Sequence, residues 1–193
     1  MEKKRWRSEL SALLQKMKEN ERIQKSSRAC QKLMSSKCFQ DASVVMMYLS
    51  IPYEADPSEA ILKAWQLGKT VAVPKIIWED KHMLPVQINS LEADFSFEVS
   101  GLRNPIKGIP VPFSDIDVVV TPALAFDTKG NRLGRGGAYY DRFFAHHELR
   151  AQRCGFGFSE QVVDELPVTR DDQPMDLLIT DEQILYFNDK KGQ

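Results

Sequence analysis

Cysteine is scarce: Cys30, Cys38 and Cys154 are the three in 193 residues. The number is odd and no two are spaced C-x-x-C. That excludes the usual zinc and dithiol motifs and leaves free thiols in a reducing compartment. A surplus of positive charge is missing too, with 26 basic against 27 acidic residues and a formal net charge of -1. General nucleic-acid binders carry a basic excess, so no nucleic-acid partner is expected, although the balance allows a local cationic pocket. No apolar run approaches the roughly eighteen residues of a membrane span, and none is expected. The charged stretch Met1–Arg7 is not followed by an apolar segment, so no secretory leader is expected and the chain is placed in the cytoplasm. Repeats and low-complexity segments are absent. So are the G-x-x-x-x-G-K-[ST] loop and the third glycine of a dinucleotide fingerprint.

What is present is a chain of ordinary domain size, 42% hydrophobic, enough for one core over residues 1–193. Trp6, Leu10, Leu13, Leu14 and Met17 recur at helical spacing and predict a helix over Glu2–Glu19, with a second from about Glu21 to Met34. Ser43–Ser50 is β-branched and apolar and predicts a buried strand ending before Pro52. Asp56 and Pro57 read as cap and first residue of a helix that Gly68 stops after Leu67. Further strands are predicted at Thr70–Pro74, Met83–Ile88, Phe95–Val99, Asp117–Thr121, Arg153–Phe158, Leu177–Thr180 and Ile184–Phe187. Gly101–Pro112 reads as loop, and a helix follows Gly134–Gly137 through Tyr140, Phe143 and Phe144. Continuous apolar strands alternating with helices predict an α/β fold with a largely parallel sheet. Ligands of such sheets sit in the loops beyond the strands' carboxyl ends.

One of those loops carries the strongest motif. After the strand that Pro122 stops come Phe126-Asp127, a polar turn, and then Gly130-Asn131-Arg132-Leu133-Gly134-Arg135-Gly136-Gly137-Ala138-Tyr139-Tyr140-Asp141. Glycines let the backbone approach an anion and turn its N–H groups inward. The helix that follows adds a partial positive charge, and Arg132 and Arg135 add two full ones with forks suited to phosphate. Lys3 and Arg7, four apart, share one face at the head of the first helix, a pairing that costs a little unless an anion joins it. On the residues alone, three classes of protein fit this scaffold. One is an ATP-using enzyme. A second is a sugar-phosphate isomerase or acyl-CoA transferase that needs a carboxylate but no ATP. The third is a non-catalytic regulator that binds a nucleotide or, on the family resemblance set out next, a folate.

The run from Phe126 to Asp141 resembles the signature of the 5-formyltetrahydrofolate cyclo-ligases, also called methenyltetrahydrofolate synthetases. Lys3…Arg7, Tyr48-Leu49-Ser50…Glu54, Pro74-Lys75 and Asp176…Thr180 stand in the family's order, so the resemblance spans essentially the whole chain. It implies a Rossmann-like, three-layer α/β unit with a largely parallel central sheet. The implied reaction is the Mg²⁺- and ATP-dependent conversion of 5-formyltetrahydrofolate, with or without a polyglutamate tail, to 5,10-methenyltetrahydrofolate, ADP and phosphate. The formyl oxygen is phosphorylated first, N10 attacks that carbon, and phosphate leaves.

The resemblance also implies roles. ATP falls to Lys3, Arg7 and the run Arg132, Leu133, Gly134, Arg135, Gly136, Gly137, Ala138, Tyr139 and Tyr140. Leu49, Glu54, Arg135 and Tyr139 fall to the folate, with Glu54 and Arg135 catalytic, and Asp141 and Asp176 to Mg²⁺. Of the two tyrosines, one is expected on the pterin and one in the core. Trp78, Lys75, Arg103 and Asn104 are expected near the folate. The family usually has glycine just before the tyrosines. Ala138 stands there instead, and would be strained if the position needs φ > 0.

Overall fold

The computed structural model describes residues 2–92, 94–98 and 101–187. Helices α1 (Glu2–Lys16), α2 (Glu19–Ser35) and the short α3 (Lys37–Asp41) precede strand β1 (Val44–Met46). Helix α4 (Ser58–Gln66) leads into β2 (Thr70–Ile77) and β3 (His82–Gln87). Short strands β4 (Phe95–Phe97), β5 (Arg103–Pro105) and β6 (Ile109–Pro110) follow, then β7 (Val118–Thr121), β8 (Ala125–Asp127) and β9 (Arg132–Leu133). The chain ends through α5 (Tyr139–Phe144), β10 (Gln152–Phe156), β11 (Val162–Val163), β12 (Leu177–Ile179) and β13 (Ile184–Tyr186).

Eight strands make the main sheet in the order β13-β12-β10-β7-β1-β2-β3-β6. From β12 to β2 all neighbours are parallel, while β13, β3 and β6 add antiparallel edges. The parallel strands, taken in chain order, lie 2-1-3-4-5, and the winding direction reverses between β1 and β7. The crevice beyond the carboxyl ends of those two strands is where such sheets bind ligands.

The strands are apolar throughout because both faces are covered. Val45, Met47, Val118, Val120, Leu177 and Ile179 face a cluster built with Leu10, Leu14, Leu33, Ile61 and Phe39 of the four leading helices. Met46, Val119, Ala72 and Leu178 face the opposite cluster with Phe126, Phe143 and Phe144.

Several boundaries differ from the sequence reading. The first predicted helix ends at Lys16, and α2 starts at Glu19. Strand β2 runs past Pro74 to Ile77 because β3 pairs with it from Ala72 to Ile77, past the end of its pairing with β1. That pairing places Pro74 opposite Pro85. Strands β5 and β6 lie in the stretch read as loop, and β8, β9 and β11 form a small sheet of their own. Helix α4 is assigned from Ser58, one residue after the expected start, yet the Asp56 carboxylate accepts from Ser58 N at 3.1 Å as its cap. Val99, the expected end of the fourth strand, lies outside the described residues. Among the described residues no helix is long and apolar enough to cross a membrane.

Candidate active site

A cavity of about 330 Å³ opens at the β1/β7 switch point. Tyr48 and Leu49 beyond β1, Pro122 and Ala123 beyond β7, and Pro74, Ile76 and Met83 give it mostly apolar walls. Glu54, Arg132, Arg135 and the tyrosine pair Tyr139 and Tyr140 supply its polar and aromatic groups. An apolar pocket with a few convergent polar groups is the usual form of a small-molecule site.

Glu54 reaches the cavity from a tight turn. Its N–H returns to Ile51 O at 3.2 Å, Pro52 fills the second position, and Tyr53 takes φ 72 at the third. That is the pattern of a type II turn, whose third position normally holds glycine, so the turn carries local strain beside the cavity. The Glu54 side chain is 9% exposed and accepts from Ile51 N and from Arg135 Nε, each at 3.2 Å. Burial pushes its carboxyl above the ordinary value. Arg135 and the Ile51 amide pull it back only in part.

Arg132 is the most constrained group. The buried Asp127 carboxylate accepts from Lys129 N, Asn131 N, Asn131 Nδ2 and Leu166 N, which fixes the turn that delivers β9. From β9 the Arg132 side chain, 4% exposed, lies over the rings of Tyr140 and Phe144, 5.6 and 5.7 Å from its Cζ. Its Nη2 donates to Asp141 Oδ1 at 2.6 Å. Its Nε is buried with no hydrogen-bond partner among the described residues. A buried guanidinium N–H without an acceptor is costly.

The glycine loop lies against α1. Arg7 Nε donates to Gly134 O at 2.9 Å. Gly136 has φ 107, and a Cβ there would meet the Arg7 guanidinium at 3.4 Å. A Cβ on Gly137 would stand 2.7 Å from the Tyr139 ring. The loop backbone is thus bare where the Arg7 guanidinium comes close. Ala138 takes φ 52 and ψ 25 before α5, so the strain foreseen for alanine at this position is present.

A family model described as the 5-formyltetrahydrofolate cyclo-ligase family matches residues 1–181. The chain belongs to that family. It is a family of ATP-dependent ligases, and several of its named members are similar to this chain over most of their length. The mouse 5-formyltetrahydrofolate cyclo-ligase is 25% identical over 187 residues, covering 91% of this chain and 92% of that protein. The Escherichia coli K12 cyclo-ligase is 29% identical over 146 residues, 74% of this chain and 80% of that one. The solved structure of Aquifex aeolicus 5,10-methenyltetrahydrofolate synthetase is 27% identical, with a TM-score of 0.85 and coverage of 100% of this chain and 96% of that one.

Most residues that the cyclo-ligase resemblance singled out meet at this cavity. Leu49, Glu54, Arg132, Gly134, Arg135, Gly137, Tyr139 and Tyr140 line it, and Arg7 touches the loop beside it. Leu133 is buried in the core, with its carbonyl bonded to Leu124 N at 2.8 Å. Lys3 donates to Asp172, a residue the signature does not include. Asp141 Oδ1 is taken by Arg132 and Gln173 N, while its Oδ2 makes no hydrogen bond among the described residues. Asp176 stands before β12, its Oδ2 accepting from Arg153 N at 2.8 Å.

Trp78 lines the cavity. Lys75 and Arg103 donate to the carbonyls of Ile106 and Leu91, and the Asn104 side chain bonds both N–H and C=O of Ile76. Those three serve the backbone around the β2–β5 region rather than the cavity wall. Sequence reading gave no role to Tyr48, whose hydroxyl donates to Ala55 O, or to the lining positions Met83 and Leu102. They are apolar or internally satisfied groups, with no signal separating them from ordinary core.

Proposed function

We propose that this cavity binds 5-formyltetrahydrofolate, with the triphosphate of ATP laid along Arg7, Arg132, Arg135 and the Gly134–Tyr140 loop. The chain would then catalyse ATP-dependent closure to 5,10-methenyltetrahydrofolate, ADP and phosphate. The observation that carries this reading is the meeting of two arginines, Arg132 and Arg135, with the buried Glu54 in one otherwise apolar and aromatic cavity beside the glycine loop.

A formamide oxygen is a poor leaving group, and transfer of the γ-phosphoryl group to it makes a good one. The protein's part is positioning and charge neutralisation. Arg132 and Arg135 would neutralise charge on the transferred group. Glu54 would take the proton from N10 as that nitrogen attacks the activated carbon and phosphate departs. A buried carboxyl with a raised pKa is a stronger base than one in water. Lys3 would join the phosphates by giving up Asp172. Asp141, with one oxygen uncommitted among the described residues, and Asp176 would hold Mg²⁺, which supplies neutralising charge to the phosphates.

Arg135→Ala tests the reading with little risk to folding, since 45% of that side chain is exposed. Loss of one charge-assisted contact, about 1.5–3 kcal/mol, is expected to weaken ATP binding at least tenfold by calorimetry. ATP affinity and turnover equal to the parent's would remove Arg135 from the phosphate site.

A further inference from the structure

Arg142 stands one turn beyond the glycine loop on the exposed side of α5, and makes no ion pair among the described residues. It is nevertheless held at three points. Its Nε donates to Lys81 O at 2.6 Å, and its Nη2 donates to Gly137 O at 2.7 Å. Its guanidinium also lies over the Tyr139 ring, Cζ 5.2 Å from the centroid.

Each contact leads to the cavity wall. Lys81 closes the turn between β2 and β3 in a left-handed conformation, φ 53, with its N–H on Trp78 O at 3.3 Å. Trp78 is 47% exposed, an unusual state for so large an apolar ring. It meets Tyr139 edge to face, centroids 6.2 Å apart and planes at 87°. Tyr139 rests on the bare backbone of Gly137. One fork thus ties the turn that carries Trp78 to the loop that supports Tyr139, and also backs the Tyr139 ring.

We infer that Arg142 is a positioning residue for the folate, fixing the Trp78–Tyr139 wall of the cavity without touching the ligand. The inference rests on the reading of the cavity as the folate site. The planar fork matters: two N–H groups of one rigid plane reach carbonyls 56 positions apart in the chain, from Lys81 to Gly137, and a lysine, being a point donor, holds one at most. Flat aromatic ligands gain from walls held still before they arrive, because less freedom is lost on binding. The chemistry itself belongs to Glu54, Arg132 and Arg135, which Arg142 does not contact.

The test is steady-state kinetics on Arg142→Ala and Arg142→Lys beside the parent, with melting curves. For Arg142→Ala, KM for 5-formyltetrahydrofolate is expected to rise about five- to tenfold, the size of a hydrogen-bond loss felt partly at the ligand. The kcat and the KM for ATP are expected to stay within about twofold, because Arg7 still holds the loop at Gly134. Arg142→Lys should fall between the two, and carries the test if the alanine variant melts early. In a Trp78→Ala background, Arg142→Ala should add little, since both act on one wall. An unchanged folate KM, an equal rise in ATP KM, or full additivity with Trp78→Ala would overturn the positioning role. Absence of turnover in the parent protein would instead refute the cyclo-ligase reading on which it rests.

Discussion

Ala138 sits at φ 52 and ψ 25 just before α5, in a region that L-residues enter at a cost of about 1–2 kcal/mol. Glycine escapes that cost but loses about 0.4–1 kcal/mol through its freer unfolded chain. Ala138→Gly is therefore expected to stabilise the protein slightly and raise its melting temperature by about 2 °C, read by calorimetry. A lower melting temperature would show that the loop gains more from the alanine methyl than it loses in backbone strain.

Glu54 is the second residue whose environment decides its behaviour. Its carboxyl is raised by burial, and a base works only when deprotonated. The kcat/KM for the folate should accordingly climb with pH through a limb lying above the ordinary carboxylate range. Glu54→Gln keeps the size and loses the charge. It is expected to remove that limb and lower kcat/KM at least tenfold, about 1.4 kcal/mol of transition-state stabilisation, while leaving the ATP dissociation constant nearly unchanged. A collapse of ATP binding with intact folate binding would move Glu54 to the other half of the site.

At the scale of elements, α1 does two jobs at its two ends. Leu10 and Leu14 are buried in the core, while Lys3 and Arg7 reach Asp172 and the glycine loop. Trp6 packs against the same core, so deleting the first turns would disturb packing as well as charge. The double substitution Lys3→Gln with Arg7→Gln separates the two effects. ATP affinity is expected to fall at least tenfold, and the melting temperature to move by no more than about 2 °C. Unaltered ATP affinity would reduce these cations to structural ties.

Elements were legible in the sequence where they bury two faces. Val44–Met46, Val118–Thr121 and Leu177–Ile179 lie inside runs too apolar and β-branched for a half-exposed strand, and each is a central strand. Strands β8, β9 and β11 were not legible. They are two or three residues long, and their pairing depends on Asp127 and on neighbours distant in sequence. The glycine loop was readable from its composition as a bare backbone turn flanked by arginines. The placement of Arg132 over Tyr140 and Phe144 was not, because it depends on where α5 docks.

In the whole molecule, the winding order places the Glu54 turn and the Arg132 loop on either side of one crevice, although 78 positions separate them in the chain, from Glu54 to Arg132. A buried ion cluster near the same end of the sheet, Lys25 with Asp181 at 3.1 Å and Glu160 at 2.6 Å, joins α2 to the segments after β12 and β10. The cluster ties a helix over one face to loops beyond the strands. The measurement that bears most directly on ATP-coupled ring closure is absorbance of the methenyl product, followed together with ADP release while ATP, Mg²⁺ and 5-formyltetrahydrofolate are withheld in turn. Product is expected to grow only when all three are present, with ADP formed in equal amount. Methenyl product without ATP, or ADP release that does not depend on the folate, would contradict it.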